Sequence, residues 1–198
     1  MLTHGAGTNA DAPLLVALAE AFGAVGLSVL RYELPFRRAR PTGPPSPAGA
    51  AADREGLRHA VASLRASLPG HVYLGGHSYG GRQASILAAS EPGLADILLL
   101  LAYPLHPPRR PAQRRTAHFT ELRTPALFVH GSRDPFGSLD ELEAARHLVP
   151  ARTALLAVDG AGHDLRLPGP RGATVAVTIA EAFARFVAPG DGTPGDGA

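Results

Sequence analysis

The sequence has 198 residues, of which 45% are apolar, so it is long enough for one domain with a substantial buried core. Its net charge is only +2, its 19 basic residues are all arginine, and it contains no cysteine. Disulfides, thiolate-held metals and a lysine-containing phosphate loop are therefore excluded. A nucleic-acid partner is not expected, because such a surface needs a larger basic excess interleaved with aromatic residues. No apolar run approaches the ~20 residues of a membrane helix, and no signal-peptide pattern is visible, so we expect a cytoplasmic protein without a membrane partner.

Short apolar runs alternate with helix-like patterns along the chain. Leu2 to Gly5 is typical of the end of a strand, and five further runs predict strands at residues 27–32, 72–75, 97–101, 126–130 and 153–158. Several of these runs are continuously apolar, which is typical of parallel strands that are covered on both faces. We therefore predict an α/β domain over residues 1–188, with a mostly parallel sheet of about six strands and helices on both faces.

Apolar residues at helical spacing predict helices between the strands. The stripes consist of Leu14, Leu18 and Phe22; of Leu57, Val61, Leu64 and Leu68; and of Val175, Ile179, Phe183 and Phe186. Asp11 is the expected N-cap of the first helix, and Gly26 lies near its predicted end. Ser138 and Glu141 have the spacing of a capping box, which predicts a helix from there to about His147.

The chain also contains two long predicted loops and two unusual ends. Residues 33–49 are rich in proline, and residues 103–118 form an insert between two strands that is too short for a large cap domain. Residues 189–198 repeat Gly-Asp-Gly and are expected to be disordered.

The first strand has too few residues before the His4-Gly5 pair, since strands usually have about 5–6 residues. We therefore expect that part of the natural N-terminal strand is missing.

The segment from Gly76 to Gly80 predicts a nucleophile. It contains Gly76-His77-Ser78-Tyr79-Gly80 between a predicted strand and a predicted helix. A serine between two glycines in this context is typical of a sharp turn that presents a nucleophile, where neighbouring backbone leaves no room for a Cβ. We predict that Ser78 is the nucleophile and that the His77 side chain points away from it. The alternative is a purely structural turn.

An acid and a base follow Ser78 in the chain order that this chemistry requires. Asp134 lies after one predicted strand, and His163 lies in a glycine-rich turn after the next. Because parallel strands place their carboxyl ends along one edge, the three side chains are expected to meet. We predict that His163 takes the serine proton and that Asp134 orients it. Asp159 and Asp164 are alternatives for the acid.

Two backbone N–H groups are predicted to form an oxyanion hole. One belongs to Tyr79, directly after the nucleophile, and the other to Ala6, in a glycine-containing loop after the first strand. Four residues are expected to contact the substrate: His4, Gly5, Tyr103 and His106. No metal or cofactor is expected, because the histidines lack the spacing of metal ligands.

Further segments match a known family. They are residues 2–7, 31–36, 80–82, 103–108, 128–137 and 162–165. Together with the predicted triad, they resemble the α/β-hydrolase superfamily, specifically its dienelactone-hydrolase-related branch. The chain is similar to a hydrolase-like group that includes a subunit of the non-specific-lethal chromatin complex and a testis-expressed protein. This resemblance implies an α/β-hydrolase fold without a large cap domain.

These observations predict a serine hydrolase that acts on a small-molecule ester, thioester or related acyl substrate. Dienelactone hydrolases proper use cysteine, so Ser78 argues against that particular activity. The alternatives are a non-catalytic scaffold or binding module, which the chromatin-complex relative suggests, and a peptidase. The short insert predicts a preference for compact acyl groups. Its four arginines are expected to attract anionic substrates: Arg109, Arg110, Arg114 and Arg115.

Overall fold

Six parallel strands form the centre of the structure, which is a computed structural model that describes residues 1–188. The strands are β1 (Leu2–Thr3), β2 (Arg31–Tyr32), β3 (Tyr73–His77), β4 (Ile97–Leu101), β5 (Ala126–Gly131) and β6 (Thr153–Val158). Their order across the sheet is β2-β1-β3-β4-β5-β6, and all neighbours pair in parallel. The predicted α/β class is confirmed. The tail predicted to be disordered lies outside the described residues.

Helices cover both faces of this sheet. They are α1 (Pro13–Ala24), α2 (Pro35–Ala39), α3 (Ala50–Ser67), α4 (Tyr79–Ser90), α5 (Leu139–Arg146) and α6 (Pro170–Val187). Buried side chains of α3, α4 and α5 pack on one face, and those of α1 and α6 pack on the other. The consecutive apolar residues of β4 alternate between these two cores, with Leu98 and Leu100 in one and Leu99 and Leu101 in the other. This explains why the strand is apolar throughout.

The two long connections contain only short helical elements. The insert between β4 and β5 contains a single 3₁₀ turn, Phe119–Glu121, and residues 1–188 form no cap domain. The proline-rich stretch at 33–49 contains α2 and a second 3₁₀ turn, Pro47–Gly49. None of the described helices is both long enough and apolar enough to cross a membrane.

Two local predictions are corrected at the N-terminal side of the sheet. The strand predicted at 27–32 pairs only at Arg31–Tyr32, because its neighbour β1 offers only two residues. Asp11 is not the N-cap of α1: the cap is Ala12, without a side-chain hydrogen bond, and the helix begins at Pro13. The Asp11 carboxylate instead accepts a hydrogen bond from Arg31 at 2.7 Å.

The capping box of α5 is confirmed. The Ser138 hydroxyl accepts a hydrogen bond from the Glu141 N–H, and the Glu141 carboxylate accepts one from the Ser138 N–H. Because both partners lie in the sequence itself, this element could be located without knowledge of the tertiary structure.

We expect Gly76→Ala to destabilise the protein, whereas Gly23→Ala is expected to stabilise it. A Cβ on Gly76 would lie 2.4 Å from the backbone nitrogen of Gly81, a collision that costs about 1–3 kcal/mol in packed interiors. A Cβ on Gly23, within α1, meets nothing within 4 Å, and replacing helical glycine by alanine typically gains about 0.5–1 kcal/mol. Thermal unfolding of both variants measures this, and equal melting temperatures would contradict the close approach.

Candidate active site

The predicted triad residues lie at one edge of the sheet, where the parallel strands end. Ser78 directly follows β3, Asp134 lies three residues after β5, and His163 lies five residues after β6. Each of these three strands leads into a turn that contains glycine, where the chain can change direction sharply. The order of the strands then brings side chains that are distant in sequence to a common position.

Ser78 occupies a sharp turn between β3 and α4. It is the N-cap of α4 and has φ 51° and ψ −113°, a conformation that non-glycine residues rarely adopt. The turn is held by hydrogen bonds from the Ser78 N–H to the Leu101 carbonyl and from the Arg82 N–H to the Ser78 carbonyl. This backbone geometry is the one expected of a turn that presents a nucleophilic side chain.

A chain of hydrogen bonds joins Ser78, His163 and Asp134. The Ser78 Oγ is 2.8 Å from Nε2 of His163, and Nδ1 of His163 is 2.7 Å from Oδ2 of Asp134. The carboxylate can only accept, so Nδ1 carries the proton and Nε2 is free to accept the serine proton. The Asp134 side chain is fully buried, and 22% of the His163 side chain is exposed. The arrangement is therefore capable of activating the serine as a nucleophile.

The surroundings of Asp134 hold its carboxylate in place. Its Oδ1 accepts a hydrogen bond from the Phe136 N–H at 2.8 Å. The Phe136 ring also lies against the ring of His163, with 4.1 Å between the ring centres. His130 approaches the same carboxylate at 3.7 Å and donates from Nε2 to the Gly137 carbonyl. Phe136 thus fixes the acid and packs against the predicted base, while His130 braces the following turn through Gly137; the sequence did not reveal either role.

The alternative acids point elsewhere. Asp159 is exposed, and its carboxylate accepts a hydrogen bond from the Ser132 hydroxyl at 3.1 Å. Asp164 is also exposed, and it accepts a hydrogen bond from the backbone N–H of Arg166. Both carboxylates therefore brace turns, and of the three candidates the structure joins Asp134 to His163.

His77 lies against His163, contrary to the expectation that it points away. Its Nε2 donates to the His163 carbonyl at 2.7 Å, and the centres of the two rings are 5.3 Å apart. Burial lowers the pKa of His77. A neutral His77 with its proton on Nε2 fastens the backbone of the predicted base to the end of β3.

Ala6 lies in a loop next to Ser78, here called the 4–8 loop (residues 4–8). The Gly5 carbonyl accepts hydrogen bonds from His4 Nδ1 at 2.9 Å and from the Thr8 N–H at 3.3 Å. Since the N–H and C=O of one peptide point in opposite directions, the Ala6 N–H is turned away from those donors. Within residues 1–188 this N–H has no hydrogen-bond partner. A Cβ on Gly5 would lie 3.5 Å from the Ser78 Cβ, so the loop adjoins the serine.

Tyr79 supplies the second predicted N–H at the start of α4. As the first residue of the helix, it has an N–H outside the helical hydrogen-bond ladder. Its side chain points into the fold and donates to the Asp53 carboxylate at 2.6 Å, and burial raises its pKa. Tyr79 and Ala6 therefore each offer a backbone donor beside the turn at Ser78.

Three of the four predicted substrate contacts are not supported by the placement of the side chains. His4 is fully buried and accepts the Leu34 N–H at Nε2, so it is a neutral internal residue. Burial lowers its pKa accordingly. Tyr103 is also fully buried, and its hydroxyl donates to the Arg115 carbonyl at 2.6 Å. His106 is 5% exposed and pairs with Glu141. Only Gly5, through its closeness to Ser78, remains next to the site.

An open apolar groove of about 440 Å³ lies beside these groups, between the beginnings of α1 and α6. Its polar border is formed by Thr8 of the 4–8 loop, His77 next to the serine and Asp164 next to the predicted base. Its walls are mostly apolar and include Leu14, Leu15, Leu167, Val175 and Ala176. The groove therefore offers apolar surface next to the residues that adjoin Ser78 and His163 in the chain.

The described residues contain no group of three or more potential metal ligands that could hold an ion.

The arginines of the insert, which were expected to attract anionic substrates, differ in exposure and in ion pairing. Arg109 and Arg110 are exposed, and Arg114 pairs with Glu141 at 3.1 Å.

The fold and the arrangement of Ser78, His163 and Asp134 are those of the α/β-hydrolase class. The family model of the alpha/beta hydrolase domain matches residues 1–188, and the chain belongs to this family. The resemblance to the α/β-hydrolase superfamily is thereby confirmed.

Solved structures share this fold at low sequence identity. A dienelactone hydrolase from Anabaena variabilis is 21% identical with a TM-score of 0.71, and the alignment covers 93% of this chain and 84% of the dienelactone hydrolase. Est1E from Butyrivibrio proteoclasticus, with ferulic acid bound, is 17% identical with a TM-score of 0.73, and the alignment covers 95% of this chain and 88% of Est1E. A serine hydrolase without a lid from Xanthomonas campestris is 16% identical with a TM-score of 0.69, and the coverage is 95% and 82%.

We expect Asp134→Asn to lower kcat by roughly 10³–10⁴-fold, as the corresponding change does in serine proteases. The asparagine keeps an acceptor for the Phe136 N–H, but its NH₂ group cannot accept the proton of His163 Nδ1. The matched control is Asp164→Asn, which keeps the acceptor for Arg166 and is expected to leave kcat unchanged. Steady-state kinetics with an ester substrate measures both variants. A large loss in Asp164→Asn with an active Asp134→Asn would identify the other acid.

Proposed function

We propose that the protein is a serine hydrolase that cleaves a small ester, thioester or related acyl substrate through an acyl-enzyme intermediate. The observation that carries this proposal is the chain of hydrogen bonds from Ser78 through His163 to Asp134. The family, and the serine hydrolase without a lid among the structural neighbours, support the same class of reaction.

In the first half of the reaction, Ser78 Oγ attacks the carbonyl carbon as its proton passes to Nε2 of His163. The negative charge that develops on the carbonyl oxygen is stabilised by the N–H groups of Ala6 and Tyr79. Asp134 stabilises the imidazolium through Nδ1. Collapse of the tetrahedral intermediate expels the alcohol or thiol, which takes the proton from Nε2 and leaves the acyl group on Ser78.

In the second half, water repeats these steps. His163 Nε2 removes a proton from the water as its oxygen attacks the acyl carbon, and the same two N–H groups bind the oxyanion. The intermediate then releases the carboxylic acid while the proton returns to Ser78 Oγ. The exposed part of His163 gives water access to this position.

A second serine–histidine pair in the structure provides a useful contrast. Ser85 Oγ lies 2.8 Å from Nε2 of His118, the same separation as in the proposed site. Ser85 is fully buried in α4, and burial together with Arg82 lowers the pKa of His118 to about 4. Among the described residues, no carboxylate pairs with His118. A short serine–histidine distance alone therefore does not define the site. Ser78 differs from Ser85 in being only half-buried, and His163 differs from His118 in having a carboxylate partner.

We expect Ser78→Ala and His163→Ala each to abolish ester hydrolysis without unfolding the protein, since triad members act as one unit. Ser78→Ala is also expected to abolish labelling by a fluorophosphonate probe. The matched controls are Ser85→Ala and His118→Ala, which remove the same kinds of group from the second pair and are expected to stay active. Circular dichroism confirms folding of all four variants.

The same experiment separates the alternatives. A folded wild-type protein that neither reacts with the probe nor hydrolyses any ester would favour a non-catalytic scaffold. Labelling of Ser78 with cleavage of peptides but not of esters would favour a peptidase. Loss of activity in His118→Ala with an active His163→Ala would place the base in the second pair.

We expect p-nitrophenyl butyrate to be cleaved with a higher kcat/KM than p-nitrophenyl palmitate. The groove holds a compact apolar group, but within residues 1–188 no cap covers it, so a long acyl chain would stay largely in water. Leu14→Trp at the rim is expected to raise KM for butyrate more than for acetate. The control is Val25→Trp, at an exposed position outside the groove. A preference for palmitate, or equal effects of the two variants, would show that the acyl group binds elsewhere.

A further inference from the structure

Arg37 is a buried arginine on α2 that contacts the 4–8 loop. Only 6% of the residue is exposed. Its guanidinium donates five hydrogen bonds, all to backbone carbonyl oxygens. The acceptors are Ala6 at 2.6 Å, Thr8 at 2.9 Å, Pro41 at 2.8 Å, Gly43 at 3.2 Å and Arg40 at 3.3 Å.

This arrangement uses every N–H of the side chain. An arginine has five N–H donors in one plane, and here Nε bonds to one carbonyl while Nη1 and Nη2 bond to two each. A buried charge is costly unless it is hydrogen-bonded. Among the described residues, the charge of Arg37 is compensated by backbone carbonyl groups, and no carboxylate pairs with it. Arg37 therefore joins two backbone segments, the 4–8 loop and residues 40–43.

The two peptides on either side of Ala6 are fixed from different directions. The Gly5–Ala6 peptide is held through the Gly5 carbonyl, which accepts from His4 and Thr8. The Ala6–Gly7 peptide is held through the Ala6 carbonyl, which accepts from Arg37. Since a residue has only the two soft dihedrals between its flanking peptide planes, fixing both planes fixes Ala6 itself.

We propose that Arg37 is the positioning residue of the oxyanion hole: it keeps the Ala6 N–H aimed at the oxyanion through the carbonyls of Ala6 and Thr8. This proposal rests on the proposed hydrolase function. Arg37 touches no substrate; its effect reaches the reaction only through the loop. Preorganised donors act mainly on the transition state, so the loss of Arg37 lowers kcat rather than raising KM.

The test compares Arg37→Met with Arg38→Met. Arg38 is the exposed neighbour on the same helix, and its guanidinium lies over the Tyr32 ring at 5.1 Å. We expect Arg37→Met to lower kcat about 10- to 100-fold, since removing an oxyanion donor outright typically costs roughly 10²–10³. KM for p-nitrophenyl butyrate should stay close to the wild-type value. Titration of active sites with a fluorophosphonate corrects each rate for any unfolded protein.

A second measurement uses phenylboronic acid, which forms a tetrahedral adduct with an active serine. In Arg37→Met its inhibition constant should rise by the factor by which kcat/KM falls, and in Arg38→Met it should not change. Arg37→Lys keeps the charge but has three donors on one nitrogen and cannot reach both segments in the same way. We expect the kcat of Arg37→Lys to lie between those of the wild type and Arg37→Met. If Arg37→Met does not fold, Arg37→Lys is compared with Arg38→Met instead.

Each result decides the proposal. Equal kcat and equal boronate affinity in Arg37→Met and Arg38→Met would overturn it while leaving the hydrolase function intact. A raised KM with unchanged kcat would also overturn it, because Arg37 would then act on substrate binding. A wild-type protein that is inactive towards esters and unreactive with the fluorophosphonate would overturn both proposals.

Discussion

The arrangement of the site depends on one close approach, between the beginning of α4 and the end of β1. A Cβ on Gly80 would lie 2.5 Å from the His4 carbonyl oxygen, and no side chain fits at that distance. This approach has two consequences. The chain must turn sharply at Ser78, which leaves the serine in its rare backbone conformation. The 4–8 loop is brought beside Ser78 at the same time, so one packing contact places both the proposed nucleophile and a proposed oxyanion donor.

The other side of the site is held by a comparable approach between two turns. A Cβ on Gly131, at the end of β5, would lie 2.4 Å from the Ala161 carbonyl oxygen, and the same carbonyl accepts a hydrogen bond from the Arg133 N–H. The turns that carry Asp134 and His163 are therefore in direct backbone contact. Within residues 1–188, backbone contacts of this kind position the side chains of the proposed site, and the groove beside them is open.

The sequence was sufficient to select candidate residues whose positions are set by strand ends and turns. Ser78, Asp134 and His163 could be assigned because strand ends and glycine-containing turns are local features, and parallel strands place those turns together. The roles of His4, His77 and Tyr103 could not, because each depends on a hydrogen-bond partner that is remote in sequence. His4 contacts Leu34, His77 contacts His163, and Tyr103 contacts Arg115. A histidine or tyrosine near a strand end looks the same in the sequence whether it faces a substrate or a carbonyl.

The histidines of the site show how the fold assigns the proton to one base. All nine histidines lie within the described residues, and among them His163 has a carboxylate at one ring nitrogen and the hydroxyl of the half-buried Ser78 at the other. His4 and His77 each donate a hydrogen bond from a ring N–H to a backbone carbonyl. Burial lowers the pKa of both side chains, so they remain neutral. A neutral His77 does not repel the imidazolium that would form at His163 in the proposed reaction. In the proposed reaction the proton that leaves Ser78 therefore passes to His163, where Asp134 compensates the charge, while the rings of His4 and His77 hold the backbone.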